Sequence, residues 1–397
     1  MSKIACFIID TPILESYKSY YVWDAFTDAG YRLELIDVSP FLNRAAYNRV
    51  KVSLIDYTQG NVHLCKSYKE LFGILKNLKE DVLVFDSTGW NVEHYPIYKY
   101  LSRRNIKYGY MILNSCYEVA TEGGKVTRTK EYFSKLSWKR IINSIFIRLP
   151  KKLFPNQACA FVINNSPNEI ENYRRRFYCD KKTKFLLIHS NMYEEALLHK
   201  DDAPVVKNNY CVWLDSYIPY HPDLANIGAR VDATSYYSSL RKFFHWVQET
   251  YNIEVIISAH PRSDYEKHSD AYKGFRVIKN STCLLVRDAK FVMTAASTSF
   301  LYAVTYKKPL LFIYQNALEE GLPSHIRFMI ALSKEFDKSI INIDEFDYGN
   351  TSLIDEQLKI NDVLYQKSAE NYVKQNFDGT IRGESYKKEI IAFLEAL

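Results

Sequence analysis

Short apolar runs alternate with longer amphipathic segments along the whole chain. This alternation predicts repeated βα units and parallel sheets, because a strand buried on both faces is apolar throughout, whereas a surface helix is apolar along one stripe. Helices are predicted between most of the runs, with a long one over 235–251 and a last one over 368–397. The predicted strands are residues 4–9, 32–36, 82–85, 107–112, 160–163, 185–189, 210–214, 254–258, 276–278, 291–294 and 310–314.

A polar, proline-containing stretch from Lys200 to Pro204 separates the two series of strands. We expect a domain boundary there, because linkers between domains are polar and rich in turn residues. The sequence therefore predicts an N-terminal α/β domain over 1–203, a C-terminal α/β domain over 204–375, and a C-terminal helix over 376–397 that packs back on the N-terminal domain. A length of 397 residues suits two such domains.

Composition excludes several classes of protein. A chain that is 47% hydrophobic and 25% charged is typical of globular proteins. The net charge of +6 is modest for this length and does not predict a nucleic-acid partner. The seven cysteines have no CxxC spacing, so we expect reduced core residues. No apolar stretch approaches the roughly 18 residues of a membrane span, and the first residues lack a secretion signal, so the sequence predicts a cytoplasmic protein.

A basic segment extends from Lys125 to Lys152, where nine Lys or Arg residues stand against the single Glu131. Its pattern has two interpretations. A basic amphipathic helix binds an anionic membrane surface, which predicts peripheral contact with an inner membrane, or it packs its apolar side on its own domain. Phe146 and Ile147 fall off the apolar stripe. The stripe consists of Trp138, Ile141, Ile142, Ile145 and Leu149.

The candidate chemistry follows predicted strands of the second half. Asp215 directly follows the run 210–214, and a carboxylate at the tip of a buried strand serves as a nucleophile, as a general base or as a structural hydrogen-bond acceptor. Asp223 and Asp232 are the alternative carboxylates, in that order, because only Asp215 directly terminates a strand.

Two further polar clusters also follow predicted strands. Because ligands of parallel α/β sheets bind beyond the carboxyl ends of the strands, both clusters are predicted to hold a phosphate. Imidazole and guanidinium groups neutralise phosphate charge, proline fixes the backbone of the loop, and hydroxyls before a helix cradle an anion or cap the helix. The clusters are His260, Pro261 and Arg262, and Ser297, Thr298 and Ser299.

Absent motifs narrow the chemistry. The sequence has no GxxxxGK[ST] loop, no HExxH and no GxGxxG after a strand, which argues against ATP hydrolysis, zinc proteolysis and hydride transfer. We therefore predict no metal and no cofactor. Glu319 and Glu320 also lack the second glutamate, eight residues on, of many nucleoside-diphosphate-sugar transferases.

The order of residues 212–215, 259–262 and 294–299 resembles bacterial GT-B glycosyltransferases that use CMP-activated acidic sugars. It is most similar to the retaining β-Kdo transferases of lipopolysaccharide O-antigen and capsule synthesis. The resemblance implies an α/β GT-B fold, with two Rossmann-like parallel-sheet domains facing a central cleft. The first domain would hold the acceptor and the second the donor. The chain lacks the acidic-acidic-Gly motif of the sialyltransferases, which puts their inverting mechanism in doubt.

The resemblance also implies roles and partners. Asp215 would attack the anomeric carbon and form a covalent glycosyl-enzyme, and His260 with Arg262 would bind and stabilise the phosphate of CMP. The hydroxyls of residues 297–299 would complete the pocket. The partners would be a CMP-sugar donor and a glycan or lipid-linked glycan acceptor.

Three alternatives stay open. An inverting transferase of CMP-sialic or other nonulosonic acids would need no covalent intermediate. A transferase of nucleoside-diphosphate hexoses, or an epimerase, would share the fold with a different donor. A glycan-binding protein would keep the fold without the chemistry.

Overall fold

The computed structural model describes residues 3–49, 54–57, 59–78, 81–113, 142–143, 145–146, 148–149, 153–154, 156–221, 224 and 229–397. Most of the basic segment, with Trp138 and Ile141, lies outside the described residues, as does Asp223. The chain forms two compact units. One contains the described residues up to 189 together with 385–397, and the other contains those from 190 to 384.

The first unit is built on a seven-stranded parallel sheet in the order β3-β2-β1-β4-β5-β6-β7. Its strands are β1 Lys3–Ile9, β2 Tyr31–Asp37, β3 Val62–Leu64, β4 Asp81–Asp86, β5 Lys107–Ile112, β6 Phe161–Asn164 and β7 Lys184–Leu187. Its helices, as far as they are described, are α1 Tyr17–Tyr20, α2 Trp23–Asp28, α3 Ser39–Leu42, α4 Arg44–Arg49, α5 Tyr68–Asn77, α6 Tyr95–Arg103 and α7 Ile170–Arg176.

The second unit is built on a six-stranded parallel sheet in the order β10-β9-β8-β11-β12-β13. Its strands are β8 Tyr210–Leu214, β9 Glu254–Ala259, β10 Arg276–Lys279, β11 Val292–Thr294, β12 Leu310–Tyr314 and β13 Ile340–Asn342. Its described helices are α8 Asn191–Leu198, α9 Ala233–Tyr251, α10 Thr282–Asp288, α11 Phe300–Thr305, α12 Asn316–Gly321, α13 Pro323–Lys334, α14 Ser352–Gln357 and α15 Asp362–Tyr372.

The last helix, α16 Tyr386–Glu395, belongs to the first unit, where it buries Tyr386, Ile390 and Leu394 among the apolar side chains of the sheet. The single helix predicted over 368–397 is therefore wrong. Helix α15 ends at Tyr372, and the chain between the two helices contains Gly379 and Gly383 at positive φ, which ordinary helical residues do not adopt. Among the described residues, no helix has both the length and the hydropathy to cross a bilayer.

The strand predictions agree with the structure except at the short strands β3 and β13, which the sequence did not reveal. Strands β9, β8 and β11 are consecutive neighbours in the second sheet. Leu214 pairs in register with Ser258 of β9 and with Thr294 of β11. The loops that follow these three strands consequently leave the sheet side by side at one edge.

A close approach of two strands in the first unit yields a stability prediction. A methyl group added to Gly109 of β5 would lie 2.4 Å from the carbonyl oxygen of Phe161 in β6, whereas Gly73 in α5 has open space at that position. We expect Gly109→Ala to lower the free energy of unfolding by roughly 1–3 kcal/mol through overpacking. Gly73→Ala should raise it by about 0.5–1 kcal/mol. Urea denaturation followed by circular dichroism measures both, and equal effects would contradict the close contact.

Candidate active site

Asp215 lies at the carboxyl end of β8 and is only 3% exposed. Four donors surround its two carboxylate oxygens. The Tyr217 N–H and the Tyr272 hydroxyl donate to Oδ1, each at 2.9 Å. The Tyr265 hydroxyl donates to Oδ2 at 2.6 Å and the His260 N–H at 3.3 Å. Asp215 thereby links the loop after β8, the loop after β9 and the segment that follows.

Burial raises the pKa of Asp215, and the hydrogen bonds from Tyr265, from the two backbone N–H groups and from Tyr272 oppose that rise. The indole of Trp213 donates to the Tyr272 hydroxyl at 2.9 Å, so the tyrosine is itself held in place. A buried carboxylate whose lone pairs are shared among four donors is held in place, and it must give up hydrogen bonds before one of its oxygens can attack another atom. We call Asp215 and its four donors the Asp215 cage. Its side-chain donors, Tyr265 and Tyr272, belong to no sequence motif and were not predicted.

His260 and Arg262 stand next to this cage. The Arg262 N–H donates to Nδ1 of His260 at 3.1 Å, so a neutral His260 ring carries its proton on Nε2. The His260 side chain is partly exposed, and Pro261 and Arg262 are exposed. The ring of His221 meets the His260 ring edge-on at a centroid distance of 5.1 Å. The imidazole and guanidinium are therefore accessible to an anion.

The three hydroxyl residues follow β11, as predicted. Ser297 and Ser299 are partly exposed and Thr298 is exposed. The N–H of Ser297 donates to Oγ1 of Thr294 at 3.0 Å, so this donor is already used within the loop. Ala296, just before, has φ of 62°, a left-handed conformation that is unfavourable for a residue with a Cβ.

His325 in α13 supports this strained turn, and no sequence motif marks it. Its Nε2 lies 2.6 Å from the carbonyl oxygen of Ala295, so Nε2 carries a proton and donates. Burial lowers the pKa of His325, against the hydrogen bond to Ala295. His325 is thus a positioning residue that holds the loop after β11.

The two alternative carboxylates have different positions. Asp232 is exposed and caps α9, since its Oδ1 accepts from the Ser235 N–H at 2.8 Å. Hydrogen bonds from Ser235 lower the pKa of Asp232. Asp223 lies outside the described residues. Asp215 is the described carboxylate that accepts from the His260 N–H.

A separate carboxyl group in the first unit has unusual electrostatics. Asp10 follows β1, the central strand beside β2 and β4, which end in Asp37 and Asp86. The pKa of Asp10 is raised to about 6, mainly by burial; His94 lowers it, and Asp86 and Asp37 raise it. His94 is buried, and its Nε2 has no hydrogen-bond partner among the described residues.

In the described part of the chain, no group of three or more His, Cys, Asp or Glu side chains is arranged to hold a metal ion.

Known structures share the architecture of the chain. No protein-family model and no curated protein sequence matches it. The calicheamicin glycosyltransferase CalG4 matches with a TM-score of 0.50 and 10% identity over 100% of this chain and 98% of that chain. A UDP-GlcNAc 2-epimerase of Methanocaldococcus jannaschii matches with a TM-score of 0.46 and 11% identity, and MurG of Acinetobacter baumannii with 0.44 and 9%, each over 100% of both chains.

The fold of the chain is GT-B. It is defined by two units that are each built on a parallel sheet, and by the likeness to CalG4. The predicted fold class, two parallel-sheet α/β domains of GT-B type, is confirmed. At 10% identity the likeness establishes the fold and says nothing about the reaction. The resemblance to β-Kdo transferases and the roles of the site residues stay predictions.

The cage around Asp215 yields a second testable prediction. Tyr265→Phe removes the shortest hydrogen bond to a buried carboxylate, and we expect a loss of roughly 1.5–3 kcal/mol in the free energy of unfolding. Tyr251→Phe is the matched control, because the Tyr251 hydroxyl donates to an exposed carboxylate, that of Asp355, at 2.9 Å. We expect the control to lose about 0.5 kcal/mol or less.

The hydrogen bond from Tyr265 to Asp215 also predicts how the free energy of unfolding depends on pH. The pKa of Asp215 is raised in the folded state, so folding binds protons, and stability falls as pH rises through the folded-state pKa. Removing Tyr265 weakens mainly the charged form, so the loss should grow with rising pH. Denaturation curves over a pH series measure this. A loss that is independent of pH would show that Tyr265 does not stabilise the carboxylate.

Proposed function

We propose that the protein is a glycosyltransferase that moves Kdo or a related ulosonic acid from a CMP donor to a growing bacterial surface glycan. One observation carries the proposal: strands β9 and β11, which flank β8, end at the same edge of the second sheet, where His260 and Arg262 follow β9 and the hydroxyls of residues 297–299 follow β11. Cationic side chains and hydroxyls stabilise a departing phosphate monoester such as CMP.

The resemblance to β-Kdo transferases supports a retaining route for this proposal. Asp215 attacks the anomeric carbon, the bond to the CMP phosphate breaks, and the acceptor hydroxyl later displaces Asp215. This route requires the Asp215 carboxylate to exchange some of its four hydrogen bonds for a bond to the sugar.

The burial of Asp215 favours a second candidate, an inverting transferase of the same donor class. Here Asp215 holds the loops in place, and the acceptor hydroxyl attacks the sugar directly after losing its proton to a carboxylate.

The acceptor and the place of action also belong to the proposal. A lipid-linked glycan acceptor would bring the protein to the cytoplasmic face of an inner membrane as a peripheral protein. The basic segment between Lys125 and Lys152 supports this by its charge.

The donor class is tested by thermal unfolding with CMP or UDP. CMP should raise the melting temperature, and at a hundredfold excess over its Kd it adds about 2.7 kcal/mol of stability. His260→Ala should weaken CMP binding roughly 10- to 100-fold, because a hydrogen bond to a charged group is lost. His245→Ala, an exposed histidine on α9, should leave the CMP effect unchanged. Protection by UDP and not by CMP would favour a hexose transferase or epimerase instead.

Mass spectrometry separates the two routes. Incubation with CMP-Kdo and without acceptor should leave a ulosonate mass on the peptide that contains Asp215 if the reaction retains configuration. Transfer to an added glycan with no such adduct supports inversion. Neither adduct nor transfer from CMP-Kdo, CMP-sialic acid or CMP-pseudaminic acid would contradict the proposed donor class.

A further inference from the structure

Two cysteines of the first unit lie against each other. The sulfur of Cys159, just before β6, is 3.5 Å from the sulfur of Cys179, in the turn that follows α7. Both are in the reduced form. They are 20 positions apart in the sequence, so the fold and not local spacing creates the contact. We call these two residues the cysteine pair.

A backbone hydrogen bond holds the two segments together. The Cys159 N–H donates to the carbonyl oxygen of Tyr178, the residue before Cys179, at 2.8 Å. Backbone segments joined by such bonds lie about 4.8 Å apart. A disulfide usually joins residues whose Cα atoms are about 4.4–6.8 Å apart. The remaining gap between the sulfurs should therefore close by rotation of the side chains, without movement of the backbone.

The hydroxyl of Thr183 fixes both segments of the cysteine pair. It donates to the carbonyl oxygen of Cys159 at 2.8 Å, and it accepts from the N–H of Asp180, which follows Cys179, at 3.0 Å. The Asp180 carboxylate accepts in turn from the Thr183 N–H at 3.1 Å. The two thiols are thus held next to each other by a hydrogen-bonded turn.

The two thiols differ in exposure. Cys159 is 1% exposed, whereas Cys179 is partly exposed. A small reagent consequently reaches Cys179 first, and Cys159 is the neighbouring thiol that can then displace it. Burial raises the pKa of the thiol in four other described cysteines, which disfavours their reaction: Cys6, Cys65, Cys211 and Cys283. Cys116 lies outside the described residues.

We propose that the cysteine pair is a reversible redox site, which a small-molecule disulfide of the glutathione type converts into an intrachain disulfide. The Cys179 thiolate attacks one sulfur of the reagent and releases the first glutathione. Cys159 loses its proton, attacks the Cys179 sulfur and releases the second glutathione. The protein loses two electrons and two protons, and the reagent gains both. The inference does not depend on the proposed function.

The segment that contains Cys179 also supports the loop after β4. The ring of Phe177 stacks on that of Tyr110 at a centroid distance of 3.8 Å, and the ring of Tyr178 stacks on that of Trp90 at 4.8 Å. Trp90 is 3% exposed and lies in the loop after β4. A disulfide at Cys179 would fix the surface on which this loop packs, so oxidation should slow hydrogen exchange around Trp90.

Peptide mapping of the native full chain tests the proposal. After incubation with glutathione disulfide and blocking of the remaining thiols, trypsin should release residues 153–174 and 177–181 as one linked species, which dithiothreitol separates. Cys179→Ser should give no linked species. Cys283→Ser is the matched control, because it removes a buried thiol outside the cysteine pair, and it should give the linked species at the wild-type yield.

The melting temperature gives a second readout. Closing a loop over 20 positions should raise the melting temperature of the first unit by roughly 5–10 °C, because the crosslink restricts the unfolded chain. Dithiothreitol should reverse the rise. Each variant is compared with itself before and after oxidation, so a small change in its own stability does not affect the result. Cys179→Ser should show no rise.

Several results would overturn the proposal. One is native protein that keeps both thiols in a large excess of glutathione disulfide. Another is a mixed disulfide of Cys179 with glutathione as the final product, or a link from Cys179 to Cys116. Linked peptides that form only in urea would also overturn it, because they would come from the unfolded chain. The assay contains no sugar donor and no acceptor, so every result leaves the proposed function as it stands.

Discussion

A buried negative charge organises the second unit. The Asp215 carboxylate is 3% exposed, and without its donors the cost of removing it from water would be several kcal/mol. Its donors come from its own loop, from the end of β9 and from the segment containing Tyr265 and Tyr272. These segments must therefore reach their native positions together. The carboxylate accepts from the backbone N–H of His260 and so holds the residue that is proposed to bind the donor phosphate.

The loop after β11 has its own support. Ala296 has a left-handed conformation that costs free energy, and the hydrogen bond from His325 to Ala295 acts one residue away. Because burial lowers the pKa of His325, the imidazole is neutral at physiological pH and adds no positive charge to the anion site. Asp215 and His325 thus hold the two loops in position, and in the proposed function the donor phosphate is left to His260 and Arg262.

Sequence patterns predicted the parts of the structure that depend on local periodicity. Long apolar runs identified the buried strands, and polar residues at strand ends identified loops that the parallel order brings together. The three-residue strands β3 and β13 are too short to form a pattern. Tyr265, Tyr272 and His325 act through contacts that exist only in the folded chain, so no spacing marked them. The break after Tyr372 depends on glycines whose positive φ is set by the surrounding structure.

In the basic segment between Lys125 and Lys152, periodicity identifies an apolar stripe but does not say what the stripe contacts. The sequence allowed the stripe to pack on its own unit or to face a membrane. The side chain that packs is Phe146, which lies off the stripe, whereas Ile142 and Ile145 are exposed. An aromatic side chain buries more apolar area than an isoleucine, so anchoring through Phe146 stabilises this orientation. The exposed apolar side chains have no partner within the described chain, and every charged residue from 132 to 168 is a Lys or an Arg.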